Sequence, residues 1–216
     1  MDHMELRRAV DEAFLVTGAD TPPWPDPHAD REVSDEEYSR CLRPEKYRII
    51  AARAEAWTRT LCELGWAGTE TADEPAALWR RPPEISLGSA VRLRPVRAGA
   101  VPLVFGFGAV EEVERTIVLV GAGEPAGMLG VLPDCGCDAC DDGSASLLEA
   151  VDDLVIAVVT GEFVHVDAGR GRAIVATGDG WSASDWDEAR EPVEDTIATA
   201  RAGGSPHEVV SGLAWG

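Results

Sequence analysis

The chain has a single lysine, Lys46, and its 19 basic residues are outnumbered by 39 acidic ones, leaving a net charge of −20. A surface that negative repels both phosphate backbone and anionic lipid, which excludes a phosphate-tracking nucleic-acid binder. Long apolar runs are missing as well. The longest, Leu154 to Val159, falls far short of the ~20 residues that a bilayer requires. Met1 to Val10 mixes Asp2, Glu5, Arg7 and Arg8 with few apolar side chains. No secretory signal is visible there, and a cytoplasmic location is expected. Thiols are kept reduced in that compartment, and five cysteines, an odd number, cannot complete a disulfide framework. There is no internal repeat, no low-complexity tract and no G-x-S-x-G elbow. His3 and His207 lie near the ends, where disorder is expected, and the pairs Glu111-Glu112 and Asp152-Asp153 read as solvated faces.

What remains is the composition of a globular protein. With 216 residues, 45% hydrophobic and 27% charged, the chain predicts one domain with a sizeable core. Residues 1–65 read as a helical segment of that domain. Leu6, Val10, Ala13 and Phe14 recur at helical spacing and Gly18 closes their helix. The prolines of 21–27 impose an extended connector, which Trp24 is expected to pin onto the domain. Ser34-Asp35-Glu36-Glu37 is a capping box. A longer helix is expected from Pro44 to Leu64, with Gly65 just past its end. Cys41 and Cys62 read as small core residues.

From residue 66 to 216 the pattern predicts a sheet domain. Short β-rich runs at 77–81, 90–96, 101–107, 116–120 and 128–132 are separated by Pro, Gly and acidic turns. The run Gly121-Ala122-Gly123-Glu124-Pro125-Ala126 imitates a dinucleotide fingerprint, but no helix has room to follow it before Pro133. Beyond it come a helix at 144–159, strands at 162–166 and 173–177, and a helix at 192–201. Trp181 and Trp186 are expected to dock that last helix. The tight turn Thr160-Gly161 suggests a βαβ crossover joining 128–132 and 162–166 in parallel. The expected class is α+β, with a single mixed sheet, an N-terminal helical segment and this crossover after a cysteine-rich loop at 133–143.

That loop, Pro133-Asp134-Cys135-Gly136-Cys137-Asp138-Ala139-Cys140-Asp141-Asp142-Gly143, is the part that suggests chemistry. Cysteines at C-x-C-x2-C spacing can wrap several thiolates around one tetrahedral ion. The surrounding aspartates disfavour a free thiolate and favour a bound cation, which deprotonates the thiols outright. Cys135, Cys137 and Cys140 are therefore candidate zinc ligands. A crossover would bring the end of the strand at 162–166 to the same sheet edge, making His165 the candidate fourth ligand; His28, Asp138 and Asp141 are the others.

The stretch at 133–141, followed by Gly143-Ser144, Leu147-Leu148-Glu149 and Phe163-Val164-His165, resembles an uncharacterised actinobacterial family, a domain of unknown function. The resemblance extends from the Trp-Pro pair at 24–25 to the tryptophans at 181 and 186. It implies a soluble bacterial cytosolic protein and supplies no activity. The expectation is a non-enzymatic binding or regulatory module with a structural zinc, acting on an unknown protein or small-molecule partner. The alternatives are a thiol redox protein using Cys137 and Cys140, and an acidic decoy that occupies a basic partner.

Overall fold

The computed structural model describes residues 1–178 and 180–216. Helix α1 (His3–Thr17) begins at Asp2, whose carboxylate accepts the Glu5 N–H while Glu5 accepts the Asp2 N–H. Its buried positions Leu6, Val10 and Ala13 share one face and lie against α2 (Arg48–Glu63). The expected helix at 44–64 is in fact one 3-10 turn, Pro44–Tyr47, followed by α2. The Ser34 capping box forms, but it opens only the short 3-10 turn Asp35–Ser39.

Five antiparallel strands follow, hydrogen-bonded in sequence order: β1 (Ala67–Thr71), β2 (Ser89–Pro95), β3 (Leu103–Val110), β4 (Val113–Gly123) and β5 (Ala126–Leu132). Leu93, Leu103, Phe105, Val118 and Val120 join the helices in the main core. The opposite face carries Val104 and Leu119, covered by Trp79. Gly106 and Gly121 make room for that indole, since a Cβ at either would meet it at 3.0 and 2.5 Å. The strand expected at 77–81 is therefore a 3-10 turn, Pro75–Leu78, after which Trp79 bridges Ala126. The glycine run at 121–126 is the β4–β5 hairpin, with no crossover helix after it.

Helix α3 (Ser144–Thr160) is apolar on almost every side and buries Val151, Val155 and Val158 in the main core. A helix of that kind belongs inside a protein. Its one buried acid, Asp152, accepts from Arg53 Nε at 2.8 Å, Arg53 Nη2 at 2.6 Å and Trp57 Nε1 at 2.6 Å. The solvated face expected for Asp152 is thus replaced by a buried ion pair tying α3 to α2.

The chain reverses at Gly161, whose φ of 75° is left-handed. It then builds a second antiparallel sheet: β6 (Val164–Asp167), β7 (Ala173–Thr177), β8 (Gly180–Ser184) and, after α4 (Val193–Arg201), β9 (Glu208–Val210). Its order is β8-β7-β6-β9. The single mixed sheet with a parallel β5–β6 pair is therefore incorrect. β6 is hydrogen-bonded on one side by β7 and on the other by β9, so it has no edge left to offer β5. Val164, Val166 and Ile174 face α4, forming a small second core. Trp186 packs on that core, whereas Trp181 is exposed. His207 is bonded to Glu191 at 2.8 Å and stands edge-on to Trp186. Among the described residues no helix is long and apolar enough to cross a membrane.

Candidate metal centre

β5 runs out through Pro133 into the cysteine loop, which closes with a 3-10 turn at Asp138–Cys140 before α3 begins. The Sγ atoms of Cys135, Cys137 and Cys140 all lie within 4.8 Å of one another. Cys135 and Cys140 are exposed and Cys137 is half-buried. Gly136 passes so close to Val110 that a Cβ there would meet its methyl at 2.7 Å, which holds the loop against the β3–β4 hairpin.

The N-terminal segment grips the loop at two points. Asp138 accepts from Arg40 Nε at 3.2 Å and from the Leu42 N–H at 3.1 Å, and its own N–H donates to the Arg40 carbonyl at 2.8 Å. The second grip is Asp141, a buried carboxylate that accepts from Trp24 Nε1 at 2.8 Å, the Gly143 N–H at 3.0 Å and Lys46 Nζ at 2.5 Å. Lys46 Nζ also lies 5.6 and 4.9 Å from the ring centroids of Trp24 and Tyr47. Trp24 does clamp the proline-rich connector: its N–H donates to Ser144 Oγ and its carbonyl accepts the Ser144 N–H. Gly143, at φ 85°, is required here because a Cβ would come 2.7 Å from the Asp26 nitrogen.

Burial raises the Asp141 pKa, but Lys46, Trp24 and the Gly143 N–H outweigh it and hold the carboxyl below its ordinary range. Burial also pushes the Cys137 thiol up; hydrogen bonds from Cys135, Cys140 and the nearby backbone more than compensate, so its pKa is lowered. Cys140 is pushed up to about 12, chiefly by its bond to Cys137. Charge in the cluster is thus decided by the thiols themselves more than by the aspartates around them. Two of those aspartates, Asp138 and Asp141, are already matched by Arg40 and Lys46.

The structure brings three of the four proposed ligands together and leaves the fourth elsewhere. His165 lies against Gly127, where a Cβ would meet its Nδ1 at 2.6 Å. Gly127 is near the start of β5 and the cysteines follow its end, which at ~3.4 Å per residue is roughly 17 Å of strand. His28 is turned to the Asp141 carbonyl at 3.2 Å and the Glu37 carboxylate at 3.5 Å. Both oxygens of Asp138 and of Asp141 are bonded. His165 is thus set apart by its place at the far end of β5, and Asp138 and Asp141 by the bonds their oxygens already make. The Asp141 and Lys46 partners of Trp24 carry no motif, and the one sign of them in the sequence is that the lysine is solitary.

The family model of DUF6226, described as a family of unknown function, matches residues 10–216. No curated protein and no solved structure matches the chain.

Proposed function

We propose that this chain, which belongs to the DUF6226 family, is a non-enzymatic binding or regulatory module whose cysteine loop holds a structural zinc ion on Cys135, Cys137 and Cys140. The observation that carries the reading is the convergence of three sulfurs within 4.8 Å. Zn–S bonds of ~2.3 Å in a tetrahedron put sulfurs ~3.8 Å apart, so small side-chain rotations close the cluster onto one ion. Thiolate donors select zinc over magnesium or calcium. Two exposed carboxylates, Asp134 and Asp142, flank the cluster, and water or either of them takes the fourth position. The ion's role follows from what the loop touches. Through Asp138 and Asp141 it anchors residues 24–46, so loading the loop would stiffen the seat of the N-terminal segment.

Purified protein is expected to contain about one zinc per chain, and Cys137→Ser to lose it. Binding energy in such a site is folding energy, so chelator should lower the melting temperature of the wild type and leave Cys137→Ser unmoved. The competing reading is a reversible disulfide, favoured by the lowered Cys137 pKa. Metal-free protein whose mass falls by two hydrogens under mild oxidant, with no change of melting temperature in chelator, would establish the disulfide and reject the zinc.

A further inference from the structure

A sheet face turned toward another layer is ordinarily apolar, and the second sheet breaks that rule on one side. β6 gives Val164 and Val166 to the α4 core. By alternation it turns His165 and Asp167 the other way, and these are only 4% and 8% exposed. Register places polar groups on both sides of the apolar Val175 and Ala173: His165 pairs with Val175 and Val175 with Ser182, while Asp167 pairs with Ala173 and Ala173 with Ser184. Opposite this face run the start of β5 and the segment after Trp79. Between them lies a cleft of about 700 Å³, a volume ordinary for a small-molecule site.

Among the described residues, two buried groups lining the cleft have no hydrogen-bond partner: His165 Nδ1 and Arg80 Nε. Burial pushes the imidazole down to about 4, with Asp167 opposing and Arg80 and Arg81 reinforcing, so at neutral pH it is an uncharged group with one N–H to donate. Arg80 Nη1 is held by Glu208 and Arg81 Nη2 by Asp167, which fixes both guanidinium groups. Asp167 also accepts the Gly169 N–H at 2.8 Å, and the Glu208 side chain stands 70% exposed, where solvent screens its charge. The buried lining of the cleft therefore offers N–H donors, beside an Asp167 carboxylate whose charge Arg81 offsets. Its rim offers the exposed carboxylates of Glu84 and Asp134 and the hydroxyls of Ser182 and Ser184.

We propose that this cleft binds a small organic oxyanion, a carboxylate or a phosphate ester, whose anionic end takes Arg80 and His165 and whose hydroxyl or amine donors face Glu84 and Asp134. The site owes nothing to the metal loop beyond sharing Asp134 at one end. Gly127 is part of it, because any side chain there would displace the imidazole.

The test is a titration of the full-length protein with inorganic phosphate and, separately, with succinate, followed by the His165 ring and backbone amide NMR signals. A saturable shift of His165, with the perturbed amides confined to Gly127, Gly130, Ala173 and Ser182, is expected for whichever oxyanion fits, and the stronger binder identifies the class. Arg80→Gln should weaken that binding about tenfold or more, whereas Arg97→Gln, at a distant exposed arginine, should leave it unchanged. Absence of any saturable shift at tens of millimolar of both probes overturns the proposal. So does a shift map centred elsewhere in the wild type, a result that needs no variant to fold. Equal affinity in a folded Arg80→Gln also overturns it.

Discussion

Asp152→Ala removes the acceptor of three bonds at once, two from Arg53 and one from Trp57. The carboxylate is 4% exposed, Arg53 is 4% exposed and Trp57 fully buried, so water cannot replace what is lost. Burial alone would lower the Arg53 pKa, and Asp152 and Asp11 keep it raised; a guanidinium is not deprotonated in a protein even without them, so it stays charged when Asp152 goes. Asp11 remains bonded to Arg53 at 2.8 Å, yet it is 65% exposed and cannot neutralise a buried charge well. Removing one member of a buried ion pair costs about 3–5 kcal/mol, a range that includes much of the penalty for an orphaned indole N–H of ~1–3 kcal/mol. We expect about 4 kcal/mol. For 216 residues the unfolding entropy is roughly 0.45 kcal/mol/K, so the melting temperature should fall by about 9 °C. The assay is urea unfolding with thermal melts, on Asp152→Ala and on the double variant Arg53→Met/Asp152→Leu. The double variant replaces the pair by apolar volume and should recover about half the loss, leaving Trp57 Nε1 as the residual cost. A loss under about 1 kcal/mol in Asp152→Ala, or a double variant worse than the single one, would refute the reasoning.

Two further outcomes follow from the same kind of accounting. His165 titrates at about 4 in the folded chain and near 6.5 unfolded. The unfolded chain therefore takes up the proton first, and His165's contribution is lost as pH falls from about 6.5 to about 4, by up to ~3 kcal/mol; His165→Gln should flatten that part of the urea-stability profile, and an unchanged slope would contradict it. Gly143→Ala should cost at least about 1–3 kcal/mol, since its φ of 85° and ψ of 168° suit glycine alone and the new methyl meets the Asp26 nitrogen. Limited proteolysis should show the connector at 21–27 released in that variant; a wild-type digestion pattern would count against the contact.

The parts of this molecule that announced themselves in the sequence are those whose cause is local. The helices α1, α3 and α4 fall where periodicity and caps put them, and the three cysteines lie together because the chain places them within one loop. The divided sheet was hidden, since β9 is three residues long and is a strand only because β6 pairs with it. β8 is exposed along its whole length, so it has no inward–outward alternation to read. Asp152 looked like a solvated acid because its partner Arg53 is 99 positions away. The oxyanion cleft was equally hidden: its walls come from residues 80–84, 127–134 and 165–184, stretches that share no motif.

The solitary lysine has a practical outcome. Its amine is paired with Asp141 at 2.5 Å and its side chain is 13% exposed, so in the folded protein the one lysine amine is shielded from solvent. Acylating reagents, and any enzyme that tags lysine side chains, reach that amine only when its contact with Asp141 opens. Modification at Lys46 therefore measures how often the N-terminal strap lifts off the cysteine loop, and a single mass shift, read against time, makes the chain its own clock for that opening.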